Sequence, residues 1–530
     1  MPPGHPDLDR WPGRRGTIVV LTYHEITEDA RILKEARVAR DAGWDVHILS
    51  EWPAGKPQTE TLEGMRVTRF DCFATDGLTP AIWEEFTFLD RSRARLEETV
   101  LPLLRDQETL DRRYDGLMRR VSGNGRQPAS AERAVLRQSY YKRHKGPARM
   151  LCKVRHLHAR YRLLGRKTPD GARVGLAYME ELRRLESRVR AGRKRLFQGH
   201  ALIYAVNAAR LALIDEAKAG EIVGVHAHDI YTLPFGVLLS RRLGVPLIYD
   251  AHEYEPARAT RMASKNDPLP RDIEDDCFDH VDRMITVSSG IADLYEARFH
   301  GPRPTLVMNA PEVSTETSAS GVAIRNGLAT VREQAKLGRD VPIVVFTGEL
   351  QGAHRGMDKV VDAVSRLPGF HLVILGPRNP RHDSWFLELV QRFGIDDRIA
   401  LLPPVDAREV PAAVSSANVA VLPFQDVSLN HRLAMPNKLF EAAFGEVPIC
   451  VSDLPEMRRF VERLGIGRVM DQTNPAAIAE ALADVNANRE RYACTAEARR
   501  LLREVYSWHR QGATLVALYE DVLARARPLP

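Results

Sequence analysis

The feature that most constrains this chain is a rhythm that occurs twice. Short apolar runs of strand type alternate with segments whose apolar residues recur at helical spacing. In the first series Thr17 to Leu21 (TIVVL) is such a run, and Asp29 caps a helix with Ile32, Leu33, Ala36 and Ala39 on one face. Gly43 ends that helix before the strand Asp45 to Leu49, and Met65 to Phe70 makes a third strand. The rhythm resumes with strands at Ile222 to Ala227, Pro246 to Tyr249, Arg283 to Val287 and Thr305 to Met308, and a helix at Leu233 to Leu243 with Pro234 near its first turn. Strands joined by helices form parallel sheets covered on both faces.

The second series opens at Pro342. Strands are predicted at Ile343 to Thr347, His371 to Leu375, Ile399 to Leu402, Val419 to Pro423 and Ile449 to Val451, each separated from the next by a helical segment. Ser314 to Leu337 has no strong pattern and marks a boundary. The expected organisation is a disordered start (1–16), a first α/β domain (17–335) and a second (336–506). A last helix (507–530) is placed to cross back onto the first domain, and 81–200, rich in Arg, Leu and Glu, is read as a helical insertion in it.

Within the second series, Met435 to Ser452 (MPNKLFEAAFGEVPICVS) concentrates the chemistry. Pro436 suits a first helical position, Gly445 a C′ position, and Pro448 leads into a buried strand. Lys438 places a cation in the first turn, where the helix dipole favours an anion, so an external anion would complete the site. Glu441 follows on the same face; on a solvated face the two would be a plain i,i+3 pair. Arg355 lies at the start of another helix, with Met357, Val360, Val361 and Val364 as its buried stripe. Two helix starts and two cations then converge on one diphosphate, with Glu441 accepting from a ribose diol.

Composition removes several classes. With 44% apolar and 28% charged residues over 530 positions the chain is of globular type. No apolar run reaches the roughly 18–20 residues of a membrane span, and the N-terminus lacks the apolar stretch of a secretory signal. Cys72, Cys152, Cys277, Cys450 and Cys494 form no C-x-x-C pair, which speaks against a disulfide framework or zinc site. No G-x-G-x-x-G lies in the first strand-to-helix turn, which counts against a nicotinamide or flavin enzyme.

Laid out this way, the chain resembles the retaining, nucleotide-sugar-dependent glycosyltransferases of the GT-B fold, family 4. The resemblance is carried by DARILKEARVARDAGWDVHIL (Asp29 to Leu49), HAHDIYTLPFGVLLSRRLGVPLIYDAHE (His226 to Glu253), ITVSSGIADLY (Ile285 to Tyr295), FTGELQGAHRGMDKVVDAV (Phe346 to Val364), the Pro436 to Ser452 stretch and SWHRQGATLVALYEDVL (Ser507 to Leu523). It implies two Rossmann-like domains facing across a cleft. It also implies that Glu441 holds the donor ribose, that Arg355 and Lys438 bind the diphosphate, with Gly348 and Asn437 on the donor side, and that His252 lies by the transferred sugar and leaving phosphate. Two positions depart from the family pattern. Leu433 stands where the E-x7-E motif has its first Glu, and Glu349 follows Gly348 where the usual G-R pair has its Arg. PNKLFE (Pro436 to Glu441) fits a subgroup with P-x-K-x-x-E instead.

The expected activity is transfer of a sugar from a nucleoside diphosphate donor to a hydroxyl acceptor, with no cofactor and no metal. His226, His228 and Asp229 form an H-x-H-D cluster whose spacing also suits metal ligands. It is read as a polar lining of the acceptor side, with His24 and Glu25, because no further ligand group stands out in the sequence. A non-catalytic GT-B scaffold and a sugar-nucleotide epimerase are the competing readings. Residues 141–168 carry ten Lys and Arg and no Asp or Glu, with Leu and Tyr interleaved. Such a segment suits an anionic membrane surface and a lipid-linked acceptor, against the plain alternative of a solvated arm. The expected location is cytoplasmic, peripheral on the inner membrane face, and no nucleic acid is expected as a partner.

Overall fold

The computed structural model describes residues 15–53, 55–70, 86–91, 222–257, 269–312, 328–350 and 355–524. The expected helical insertion at 81–200, apart from 86–91, and the basic segment 141–168 lie outside the described residues. Two sheets organise the rest. The first contains β1 (Thr17–Leu21), β2 (Asp45–Glu51), β3 (Thr59–Leu62), β4 (Met65–Phe70), β5 (Ile222–His228), β6 (Leu247–Ala251), β7 (Arg283–Thr286) and β8 (Thr305–Leu306), in the order β3-β4-β2-β1-β5-β6-β7-β8. Its pairings are parallel except β3 with β4, an antiparallel edge. The second contains β9 (Ile343–Thr347), β10 (His371–Leu375), β11 (Ile399–Leu402), β12 (Val419–Leu422), β13 (Ile449–Ser452) and β14 (Gly467–Met470), ordered β11-β10-β9-β12-β13-β14 and parallel throughout.

Strand order reverses between β1 and β5 in one sheet and between β9 and β12 in the other. Open α/β sheets bind ligands at such switch points, outside the carboxyl ends of the strands. The chain after β1 carries His24 and Glu25, and β5 ends at His228. Gly348 follows β9, and Pro423 and Phe424 follow β12.

The helix Trp508–Leu523 leaves the second domain and packs on the first. Leu515, Tyr519 and Val522 share one core with Ile18, Val20 and Ile48, and Arg15 bonds Glu520 at 3.1 Å. Burying each such apolar side chain contributes roughly 1.5–3 kcal/mol, so the contact is a substantial one. A second bridge lies at the cleft. Asn430 Nδ2 donates to Glu253 Oε2 (3.1 Å) and to Tyr254 O (3.0 Å), and Asn430 Oδ1 accepts from Tyr254 N (2.8 Å). Leu433, the departure from the Glu-x7-Glu pattern, packs against the first domain's core, where a Cβ on Gly290 would come within 2.6 Å of its Cδ2. Glu456 Oε1 accepts from Gly290 N at 2.8 Å beside it.

The stretch around Lys438 differs from its sequence reading at both ends. Pro436 is the N-cap, with φ −71° and ψ 147°, and the helix runs Asn437–Phe444. Gly445 has ordinary helical φ of −77°, and Glu446 takes the left-handed position instead, at φ 53°. The Arg499 fork fixes Glu446 at 2.6 and 2.7 Å. Gly445 is needed for space, because a Cβ there would lie 2.6 Å from Pro411 O. The helix predicted at Leu233 to Leu243 starts earlier, at Asp229, which puts Pro234 inside it rather than near its first turn.

Candidate functional site

The donor side is built on the loops after β9 and β12 and on the Asn437–Phe444 helix. Lys438 Nζ lies 4.0 Å from the Phe346 ring centre and 5.5 Å from that of Phe424, and the Arg355 guanidinium lies 4.8 Å from the same Phe424 ring. The two cations therefore converge on one aromatic ring. Each is attracted by the ring quadrupole while repelling the other. Gly348 (φ 98°) brings backbone against this point, since a Cβ there would sit 3.3 Å from Lys438 Nζ. Gly356 (φ 72°), N-cap of the Met357–Ser365 helix, is required twice over, because a Cβ would meet Pro423 O at 2.1 Å.

The electrostatics follow from burial. Burial, and then Arg355, pull the Lys438 pKa down to about 7 against the opposing pull of Glu441. Burial likewise raises Glu441, although Thr347 Oγ1 donates to its Oε2 at 2.7 Å and Lys438 favours its charged form. Burial lowers Arg355, with Glu253 of the first domain and Glu349 opposing. Glu349 itself is bound by Asn379 Nδ2 (3.0 Å) and His382 Nδ1 (3.1 Å), so the residue that replaces the expected Arg is anchored away to one side. Asn437 and Glu441 border a cleft of about 190 Å³ whose other wall includes Lys34 and Arg37 of the first domain.

Across the cleft, the ends of β5 and β6 carry the histidine cluster. His252 Nε2 lies 3.1 Å from His228 Nδ1 and 3.5 Å from Asp250 Oδ2, and its Nδ1 lies 3.6 Å from Asp229 Oδ2. Burial works against the charged ring, but Asp229 and Asp250 outweigh it and push its pKa up to about 9. Asp229 reaches this place at φ 59°, a region that non-glycine residues rarely adopt. His226 and His228 are fully buried beneath, and burial lowers both. They support the site rather than line an acceptor surface. His226 Nδ1 meets Tyr519 OH at 2.8 Å, tying the cluster to the C-terminal helix.

Glu25 is also spent on the fold. Its Oε1 accepts from Arg69 Nη2 at 2.9 Å, and its Oε2 caps the following turn through Thr27 N at 2.8 Å. The His24 ring lies beside that of Tyr23, tilted by 40°, with ring centres 3.8 Å apart.

Asp250 stands at a strand end where the sequence places ligand-facing polar groups, but sequence reasoning missed Glu35 and the cation behind the histidines. Asp250 is fully buried, and Arg31 reaches it from the Ala30–Asp41 helix at 2.7 Å while also meeting Glu35 at 3.0 Å and Val307 O at 2.8 Å. Burial disfavours the charged form of Asp250, yet Arg31 and His252 hold its pKa well below the carboxylate range. Glu35, His226, His228 and Asp250 each offer one ligand atom within 4.8 Å of the others, a set able to hold a metal ion. The Arg31 Nη2 already bridges the two carboxylates, however, and its charge takes the part an ion would play.

Comparison with known proteins agrees with this architecture. The family model "Glycosyltransferase Family 4" matches residues 154–310, and "Glycosyl transferases group 1" matches residues 341–488. Among curated relatives, the D-inositol 3-phosphate glycosyltransferase of Mycobacteroides abscessus is 26% identical over 239 residues, covering 43% of this chain and 53% of the relative. That of Xylanimonas cellulosilytica is 24% identical over 316 residues, covering 57% and 72%. The chain thus spans about half to seven tenths of the length of these relatives. Among solved structures, sucrose-phosphate synthase from Thermosynechococcus elongatus superposes with a TM-score of 0.58 at 14% identity, covering 96% of this chain and all of that one. A glycosyltransferase from Rickettsia africae does so at 0.51 and 9%, covering 96% and 99%. These structural likenesses show the fold: two Rossmann-like domains in the GT-B arrangement. The chain belongs to the GT-B glycosyltransferases of the family 4 kind.

Proposed function

We propose that the chain transfers a sugar from a nucleoside diphosphate donor to a hydroxyl acceptor, with retention of anomeric configuration. The observation that carries this reading is the convergence of Arg355 and Lys438 on Phe424, one turn from the Thr347-bound Glu441. Two half-buried cations, each at the start of a helix, favour a diphosphate as it gains charge on leaving. Glu441 would accept from the ribose diol, and His252 would meet the sugar or the leaving oxygen from the opposite domain. The departing phosphate can take the acceptor's proton, so the step asks for no metal.

A nucleotide-sugar donor places the reaction on the cytoplasmic side. Contact with an anionic membrane through residues 141–168, and with it a lipid-linked acceptor, is proposed on their sequence alone. Binding to anionic but not neutral vesicles, fading with salt, would support it. Equal flotation after deletion of the segment would overturn it.

The test of function is incubation with UDP-, GDP- and ADP-sugars, with D-inositol 3-phosphate as the first acceptor because the curated relatives carry that name. Transfer to a hydroxyl, unchanged by a chelator, supports the reading. Conversion of the sugar nucleotide to its epimer without transfer identifies an epimerase. Nucleotide binding with no turnover of any donor identifies a scaffold.

A further inference from the structure

The buried group behind His252 does more than fill space. His252 has 15% of its side chain exposed, the largest share in the cluster, and so it is the ring that can meet a substrate. Its two nitrogens face acids from different elements: Nδ1 lies 3.6 Å from Asp229, at the start of the Asp229–Leu243 helix, and Nε2 lies 3.5 Å from Asp250, at the end of β6, with His228 Nδ1 nearer at 3.1 Å. The groups packed around them are His226 and His228 from β5, Arg31 and Glu35 from the Ala30–Asp41 helix, and Tyr519 from the C-terminal helix. Of these, Arg31 opposes a charge on His252 directly, yet it is the group that keeps the buried Asp250 ionised. Without that guanidinium the buried Asp250 would be a weaker acid, and one of the two charges that favour His252 would weaken with it.

We propose that Asp229 and the Arg31–Asp250 pair are positioning residues: they flank the His252 ring with a carboxylate at each nitrogen, so that its positive charge, and not a free N–H, faces the diphosphate oxygen when the bond to the sugar breaks. The proposal rests on the transferase reading for the identity of that oxygen. The hold on the ring rests on the geometry alone. None of the positioning residues need touch the donor. Their effect passes through one imidazole, and a purely structural role would not move its titration.

The test is NMR titration of the full-length chain carrying histidine labelled at Cε1, with His252 assigned by His252→Gln. In the unsubstituted protein His252 remains an imidazolium at pH 8 and titrates near 9. Asp229→Asn lowers that midpoint by about one unit or more. Asparagine tolerates positive φ, so the fold is kept even if Asp250→Asn, which strands a buried Arg31, does not fold. In kinetics, Asp229→Asn lowers kcat most at alkaline pH and leaves donor KM unchanged, and Asp229→Glu restores part of the alkaline activity. A His252 midpoint near the ordinary value of about 6.5, or one unmoved by Asp229→Asn, overturns the proposal. If the midpoint behaves as expected while no sugar nucleotide is turned over, the transferase reading fails and the hold on His252 stands.

Discussion

The two faces of the cleft treat a half-buried cation in opposite ways. On the first domain, His252 has its acids inside the protein, and its pKa rises to about 9. On the second, Lys438 rests on aromatic rings beside another cation, and its pKa falls to about 7. The first arrangement supplies its own counter-charge and fixes a geometry. The second is short of negative charge, and an external anion is the simplest group to supply it. That contrast, more than either motif alone, tells the positioning side from the binding side.

The largest effects should come from breaking the anion side. Lys438→Ala and Arg355→Ala are each expected to lower turnover by about 10²–10³-fold, the scale seen when one preorganised charge or donor is removed. Because both act on one diphosphate, the double variant should lose less than the product of the two in a kinetic double-mutant cycle. Strict independence would place them at separate sites. Next in size is Glu441→Ala. Lost hydrogen bonds between a carboxylate and a diol should weaken donor binding by about 1.5–3 kcal/mol, read as Kd by calorimetry. An unchanged Kd would remove Glu441 from the donor site.

A pH experiment sharpens the contrast. The folded pKa of Lys438, about 7, lies below its unfolded value of about 10.4. Between those values the unfolded chain holds the proton that the folded one lacks, so this group makes stability rise with pH across that window. Denaturant titrations from pH 7 to 10 should show a steeper rise for the natural chain than for Lys438→Met. The smallest effect is expected at the interdomain bridge. Gly290→Ala pushes a methyl toward Leu433 Cδ2, a yielding side-chain tip, and should cost about 1 kcal/mol, or roughly 2–4 °C in Tm. A larger loss would make Leu433 a principal tie between the domains.

Much of this was legible in the sequence, for physical reasons. Strands β9 and β10 stand at their predicted bounds, because strands inside a parallel sheet read as unbroken apolar runs, and the edge strand β11 does so because its residues IALL are themselves such a run. The edge strands β3 and β14 do not. The β3 segment TETL alternates exposed and half-buried positions, and β14, GRVM, buries fully only Met470, so neither gives an apolar run. Arg355 and Lys438 were visible because each opens a helix beside a glycine or proline with its own signature. Arg31 and its partnership with Asp250 were not, since that partnership spans 219 residues, and an arginine in an amphipathic helix reads as surface until the sheet behind it is in place. Asp229 was singled out for its neighbours, while its pairing with His252 depends on a backbone angle that no motif encodes.

The measurement that most directly tests the shortage of negative charge at Lys438 is calorimetric titration of the full chain with UDP, GDP and ADP at pH 8, in two buffers of different ionisation enthalpy. Near that pH Lys438 is mostly neutral in the free protein, and a bound diphosphate raises its pKa. At least one nucleotide is expected to bind with uptake approaching one proton, and Lys438→Met to abolish this uptake. Binding with no proton uptake in the natural chain, or no binding of any of the three, would contradict the shortage of negative charge at Lys438.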